Sequence, residues 1–222
     1  MKLLVTRPEP GASTTIARLA ALGHESISMP CLTITPLPPH LPSQPAALLV
    51  TSGQAVPALP ARLHHIPVFC VGDATAAKLR MAGFTCVESA HGDAEALARL
   101  VMARNIPGQH VLATGERLGQ KLAASLRQGG ISVLRRKVYK VSRLQTMPEA
   151  VRTGLEAGFF DGILFYSAET VRAFIRLNPP GTERLQAYVL SQTIGKELQT
   201  RPWKAIHVAC APTEADLMAL LA

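Results

Sequence analysis

Six short loops contain the residues of this sequence whose types and spacing are best suited to chemistry. In each of them a strand-like apolar run ends in Thr, Ser or Gly, and a helical pattern begins. The loops are Thr6-Arg7, Thr51-Ser52-Gly53, Gly72-Asp73-Ala74-Thr75, Thr114-Gly115-Glu116, Ser167-Ala168 and Ser191-Gln192-Thr193. The N-terminus of a helix presents unpaired backbone N–H groups and a partial positive charge. Small residues let an anion approach these donors, so the pattern is typical of anion binding.

A purely structural role also explains each loop taken singly. Ser52, Asp73, Ser167 and Ser191 are residue types that cap helices by accepting a backbone hydrogen bond. For one loop alone, capping is the better explanation. Several such loops at the carboxyl edges of parallel sheets would together form a cradle for a polyanion, and this is our prediction.

The motifs of several enzyme classes are absent from the sequence. There is no phosphate-binding P-loop, no G-x-G-x-x-G after the first strand and no G-x-S-x-G nucleophile elbow. Among the seven histidines only His64 and His65 are close in sequence. Their side chains would point apart on a strand or helix, so we expect no metal site. An enzyme of this kind would work by positioning and electrostatics rather than through a covalent nucleophile.

The charge balance favours an anionic partner. Lys and Arg number 23 against 15 Asp and Glu, for a formal net charge of +8. Nucleic acid, acidic lipid and polycarboxylates all suit a basic surface, although a role in solubility alone explains the charge equally well. The basic residues are dispersed, with Arg135-Arg136-Lys137 as the densest cluster, and no aromatic-rich strand offers stacking for bases. We therefore expect no nucleic-acid binding.

The sequence predicts a reduced, cytoplasmic protein that does not cross a membrane. The first residues have too short an apolar run for a secretory signal and soon reach a proline. No apolar stretch approaches the roughly 20 residues of a membrane helix. The cysteines, Cys31, Cys70, Cys86 and Cys210, are scattered, without the close pairs of a zinc site.

Strand-like and helix-like runs alternate along the chain. Strands are predicted at 2–6, 25–29, 47–51, 68–71, 85–88, 110–113, 131–134, 162–166, 187–190 and 205–209. Helices are predicted at 13–22, 74–81, 95–104, 119–128, 149–156, 169–177, 194–199 and 214–221. Gly23, Gly83 and Gly129 follow helical runs and are predicted as left-handed C-caps. This alternation predicts parallel sheets in an α/β fold.

The chain also contains an internal repeat. Residues 48–56 resemble 163–171, and residues 67–79 resemble 186–198, in the same order. We infer a duplicated unit and hence two related domains. The proline-rich stretch 36–45 and the polar stretch 140–148 are the predicted crossings between them.

Several of these motifs together resemble the uroporphyrinogen-III synthase family over nearly the whole chain. They are Leu4-Val5-Thr6-Arg7-Pro8, Val50-Thr51-Ser52-Gly53-Gln54-Ala55-Val56, Val71-Gly72-Asp73-Ala74-Thr75-Ala76, Thr114-Gly115-Glu116, Val138-Tyr139, Phe165-Tyr166-Ser167-Ala168 and Ala211-Pro212-Thr213. Two positions differ from the family's usual pattern. Ile194 stands where a threonine is frequent, and Thr114 where an arginine often precedes Gly-Glu.

The resemblance implies two parallel-sheet α/β domains joined by a two-stranded linker, with an active-site cleft between them. Domain 1 would comprise residues 1–35 plus 145–222 and domain 2 residues 36–139, with linkers near 31–45 and 138–148. The implied substrate is hydroxymethylbilane, a linear tetrapyrrole with eight carboxylates, and the implied enzyme uses no cofactor and no metal. We also expect a monomer. Matching the family's motifs, the expected substrate-binding residues are Thr6, Arg7, Thr51, Ser52, Gly72, Thr75, Gly115, Ser167, Ser191 and Thr193.

Tyr139 is the catalytic residue that the resemblance implies, as a hydrogen-bond donor to the departing hydroxyl of the substrate. A half-buried linker tyrosine with its hydroxyl in water explains the same position equally well. The alternative function for the whole chain is a non-enzymatic, two-lobed module that binds a small anion.

Overall fold

The computed structural model describes residues 1–222, which form eleven strands and eight α-helices. The strands are β1 (Lys2–Val5), β2 (Glu25–Ser28), β3 (Leu32–Pro36), β4 (Ala47–Val50), β5 (Val68–Cys70), β6 (Val87–Ser89), β7 (His110–Gly115), β8 (Val133–Arg143), β9 (Gly162–Phe165), β10 (Gln186–Val189) and β11 (Ala205–Val208). The helices are α1 (Gly11–Ala21), α2 (Asp73–Met81), α3 (Ala94–Arg104), α4 (Gln120–Gln128), α5 (Glu149–Glu156), α6 (Ala168–Arg176), α7 (Gln192–Leu198) and α8 (Glu214–Ala219). None of them is long and apolar enough to cross a membrane.

The chain divides into two compact units. Unit 1 comprises Met1–Thr33 and Ser142–Ala222, and unit 2 comprises Ile34–Val141. Strands β3 and β8 are neighbours in one sheet, and each runs across a boundary between the units. The chain therefore passes between the units in two strands, which confirms the predicted two-stranded linker.

Unit 1 is built on a five-stranded sheet in the order β11-β10-β9-β1-β2, with every pair of neighbours parallel. Successive residues of β1 alternate between its two faces. Leu4 packs with α5, α6 and α7, whereas Leu3 and Val5 pack with α1 and α8. Both faces are covered, so the central strands are apolar throughout, as parallel sheets require.

Unit 2 has a six-stranded sheet in the order β3-β8-β7-β4-β5-β6. The pairs β4–β5, β4–β7, β5–β6 and β7–β8 are parallel. Leu48 and Val50 pack against α2 on one face, and Leu49 packs against α3 and α4 on the other. The predicted α/β class with parallel sheets is confirmed in both units.

Strand predictions failed around the linker. The strand predicted at 131–134 continues to Arg143 as β8, and β3 was not predicted at all. The basic run within β8 looks like a loop in the sequence, yet its backbone pairs with β7. Its guanidinium groups donate to backbone carbonyls, Arg135 to Leu118 at 2.8 Å and Arg136 to His40 at 2.8 Å. These contacts let a polar segment belong to a sheet.

The helix predictions are within two residues at both ends. Gly23 and Gly83 have φ values of +78° and +96°, as the predicted left-handed C-caps require. The prediction for Gly129 is wrong, because its φ is −79° and the left-handed residue is Gly130, at +83°. The strand predicted at 85–88 is also shifted, since β6 begins at Val87.

Candidate functional site

In unit 2, four strands deliver predicted site residues to the carboxyl edge of the sheet. β4 and β5 lead directly into the loops that hold Thr51 and Gly72, and β7 ends at Gly115. β8 runs parallel to β7 and places Tyr139 opposite Gly115. Because neighbouring parallel strands end at the same edge, these residues lie together, as ligand sites in such sheets do.

Tyr139 lies inside β8 and is only 3% exposed. Tyr139 is therefore more deeply buried than the half-buried linker tyrosine of the structural alternative, and its ring packs in a core cluster of unit 2. Burial raises the pKa of the phenol above its usual value, while hydrogen bonds from the Ser52 side chain and the Gly115 backbone act in the opposite direction. The phenol consequently stays protonated at neutral pH and remains a hydrogen-bond donor.

Ser52 and Gly72 both precede helical turns, as their sequence pattern predicts. Ser52 accepts a hydrogen bond from the backbone N–H of Gln54 at 3.3 Å and so caps a 3₁₀ turn. Gly72 is the N-cap of α2, and the Thr75 side chain behind it is buried. The side chain of Lys78 lies over Gly53 and adds positive charge at this edge, which the sequence analysis missed.

In unit 1, the predicted residues have differing surroundings at the carboxyl edge. Thr6 is fully buried, its hydroxyl donates to the carbonyl of Leu164 at 2.6 Å, and its own carbonyl accepts from the backbone N–H of Cys31 at 3.0 Å. Ser167 caps α6, accepting from the backbone N–H of Thr170 at 3.2 Å. The capping explanation therefore holds for Ser167 as it does for Ser52.

The loop before α7 keeps its hydroxyl groups free of capping bonds. Ser191 is the N-cap of α7, but its side chain makes no capping hydrogen bond, and Thr193 is exposed. Ile194, which replaces the family's frequent threonine, is buried in the core of unit 1. The substitution thus adds apolar packing at the cost of one hydroxyl.

Arg7 belongs to a polar network that the sequence did not reveal. Its Nη1 lies 3.2 Å from Oε1 of Glu214 and 3.1 Å from Oγ1 of Thr15. Its guanidinium carbon lies 3.9 Å from the centre of the Tyr166 ring, a cation–π contact. Arg18 binds the second oxygen of Glu214 at 3.1 Å. Arg7 and Glu214 are 207 residues apart, and a single sequence gives no indication that two such distant residues are in contact.

Each unit thus gathers its own predicted residues at one sheet edge. Unit 2 brings together Thr51, Ser52, Gly72, Gly115 and Tyr139, with Thr75 buried behind them. The corresponding residues of unit 1 are Thr6, Arg7, Ser167, Ser191 and Thr193. The structure contains no group of three or more His, Cys, Asp or Glu side chains that could hold a metal ion.

Comparison with known proteins identifies the family to which the chain is similar. Residues 13–219 match the family model described as "Uroporphyrinogen-III synthase HemD". The structure resembles the crystal structure of uroporphyrinogen-III synthetase from Helicobacter pylori, with a TM-score of 0.69 and 18% identity over 100% of this chain and 98% of that chain. It also resembles a mutant uroporphyrinogen III synthase from Thermus thermophilus, with a TM-score of 0.56 and 16% identity over 100% of this chain and 97% of that one.

No curated protein matches the chain at a significant level. The two structural neighbours support the fold, and the family match extends over nearly the whole chain. The chain therefore belongs to the uroporphyrinogen-III synthase family.

Proposed function

We propose that this chain converts hydroxymethylbilane into uroporphyrinogen III, with Tyr139 as the hydrogen-bond donor to the leaving hydroxyl. As a member of its family the chain is a cyclising lyase of tetrapyrrole biosynthesis that acts on a small tetrapyrrole. The observation that carries the role of Tyr139 is its position at the carboxyl edge of the unit 2 sheet, opposite Gly115 and beside Ser52.

In the proposed reaction, water is lost from the hydroxymethyl group of ring A, which leaves an electrophilic azafulvene. The substituted carbon of ring D attacks it to form a spiro intermediate, which fragments and recloses with ring D reversed. The Tyr139 phenol donates to the departing oxygen, and its raised pKa keeps it protonated for this task. Because the bilane also closes unaided to the uninverted isomer, the main task of the enzyme is to hold it in the folded geometry.

The remaining predicted residues hold the substrate's carboxylates in this proposal. Arg7 contributes a charge that Glu214 neutralises only in part, because Arg18 shares the same carboxylate. The other predicted residues contribute backbone N–H groups or hydroxyls: Thr6, Thr51, Ser52, Gly72, Thr75, Gly115, Ser167, Ser191 and Thr193. The net charge of +8 adds a long-range attraction for a polycarboxylate.

We further propose that the protein works in the cytoplasm, as a monomer, without metal or cofactor. All four cysteines are free thiols, and a reducing compartment keeps them so. Burial raises the pKa of Cys31 to about 12, so this thiol is unreactive.

The test is turnover of enzymatically generated hydroxymethylbilane, followed by oxidation and separation of the porphyrin isomers by chromatography. The proposal expects mainly the inverted isomer, against the uninverted isomer in a reaction without enzyme. An unchanged isomer ratio would refute the proposed activity and favour the non-enzymatic anion-binding module.

A further inference from the structure

A β-bulge determines the direction of the Tyr139 side chain. From Val133 to Lys137, β8 pairs residue by residue with β7, but Gly115 is paired with Tyr139 instead of Val138. Val138 is therefore an extra residue in β8. In a regular strand Val138 and Tyr139 would face opposite sides of the sheet. Here both side chains lie in the same core cluster, on the α2 face of the sheet. A bulge re-aims side chains in this way and is common beside active sites.

Gly115 leaves the space that the re-aimed ring occupies. A Cβ atom built on Gly115 would lie 2.8 Å from Cε2 of Tyr139, 2.9 Å from Cζ and 3.1 Å from the phenol oxygen. Carbon atoms in contact lie about 3.5–4.0 Å apart, so no side chain fits there without moving the ring. The backbone N–H of Glu116 donates to the Tyr139 carbonyl at 2.9 Å, which fixes the two strands beside the ring. Gly115 does not have a positive φ, so space and not backbone conformation requires the glycine.

We propose that Gly115 is a positioning residue for Tyr139: the missing side chain at Gly115 fixes where the phenol points. This inference rests on the proposed function and gives Gly115 a task in addition to contact with the substrate. The hydrogen bond from the Glu116 N–H to the Tyr139 carbonyl is its second support. A buried ring whose backbone and edge are both held keeps its oxygen at one place, which proton donation to a leaving group requires.

The experiment is Gly115→Ala, measured by turnover and by NMR. The chain has three tyrosines, so labelling with ζ-¹³C tyrosine gives three resonances, and Tyr139→Phe identifies that of Tyr139. Gly115→Ala should shift this resonance and lower kcat about tenfold with little change in KM, because the lost interaction acts in the transition state. In the Tyr139→Phe background the same substitution should lower kcat by less than about twofold, since coupled residues are not additive.

Gly129→Ala is the matched control. Gly129 lies at the end of α4 with a φ of −79°, and the atoms nearest to a Cβ there belong to the flexible side chain of Met102. It should alter neither kcat nor the Tyr139 resonance. If Gly115→Ala does not fold, adding Tyr139→Leu should restore folding, because leucine lacks the three ring atoms that the new Cβ would meet.

An unmoved resonance in Gly115→Ala overturns the inference, as does a Gly115→Ala/Tyr139→Leu double variant that still does not fold where Gly115→Ala alone fails to fold. So does an equal loss of kcat in the presence and absence of the Tyr139 hydroxyl. If the wild-type protein has no activity, the proposed function fails, but the NMR arm still decides whether Gly115 positions the ring.

Discussion

The Arg7 network allows a sharp prediction about stability. The Glu214 carboxylate accepts from Arg7 at 3.2 Å, Thr15 at 3.1 Å and Tyr166 at 3.3 Å through one oxygen. Its other oxygen pairs with Arg18 at 3.1 Å. Glu214→Ala removes all four interactions at once, and Thr15, which is fully buried, loses one of its partners.

The expected loss is about 2 kcal/mol. A hydrogen bond to a charged group is worth about 1.5–3 kcal/mol, and four of them would give a far larger sum. That sum does not apply, because the Glu214 side chain is 24% exposed and water replaces part of its interactions. Thr15 also keeps its bonds to Arg7 and Tyr166, both at 3.1 Å. For a protein of this size a loss of about 2 kcal/mol lowers Tm by about 4–8 °C.

The assay is thermal unfolding followed by circular dichroism, with Glu183→Ala as the control. Glu183 pairs with Arg184 at 3.6 Å, and both side chains are more than half exposed. An exposed pair of this kind contributes about 0–1 kcal/mol, so the control should shift Tm by at most about 2–4 °C, about half the shift expected for Glu214→Ala. Equal shifts in the two variants would refute the reasoning, because the network would then contribute no more than a surface ion pair.

Three further predictions concern catalysis, substrate capture and acid stability. Tyr139→Phe keeps the ring in its core and removes only the hydroxyl, so kcat should fall about tenfold or more with KM and Tm nearly unchanged, the product remaining the inverted isomer. If the Tyr139→Phe variant kept the kcat of the wild type, the phenol would not be the hydrogen-bond donor to the leaving hydroxyl. The apparent KM should rise with added salt, because ions screen the attraction of a +8 protein for a polycarboxylate, and a flat KM would mean that backbone donors outweigh net charge. Burial lowers the pKa of His110 below 6.5. As pH falls, His110 is therefore protonated in the unfolded chain before it is protonated in the folded protein. The folded protein loses stability as pH falls from about 6.5 towards the lowered pKa of His110. Urea midpoints between about pH 7 and pH 5 should fall less in His110→Leu than in the wild type, and equal falls would exclude His110 as the cause.

The sequence was informative wherever one element's own pattern determines its structure. Helical spacing located the eight helices, because a buried stripe recurs every three to four residues. Apolar runs such as the one in β9 located strands that are buried on both faces. The six loops likewise follow strands and precede helical turns or helices, except at Thr114-Gly115-Glu116, where the end of β7 itself contains the first two residues.

The features that the sequence did not predict depend on contacts with residues elsewhere in the chain. β8 contains a basic run that only pairing with β7 turns into a strand. Val138 and Tyr139 look like an ordinary alternating pair, and the bulge that puts them on one face exists only in the register between two strands. Arg7 and Glu214 meet across 207 residues of chain. Such interactions become visible only when the tertiary structure is known.

The discontinuity of unit 1 has a consequence for synthesis on the ribosome. Unit 2 is one continuous stretch, so all its strands are available once Arg143, the end of β8, has emerged. β1 pairs with β2 and β9, and β9 is made about 160 residues later. The strand that contains Leu3, Leu4 and Val5 therefore keeps one side unpaired until β9 is made, whereas unit 2 can already fold. Until β9 is made, the unpaired side of β1 is open to pairing with other strands.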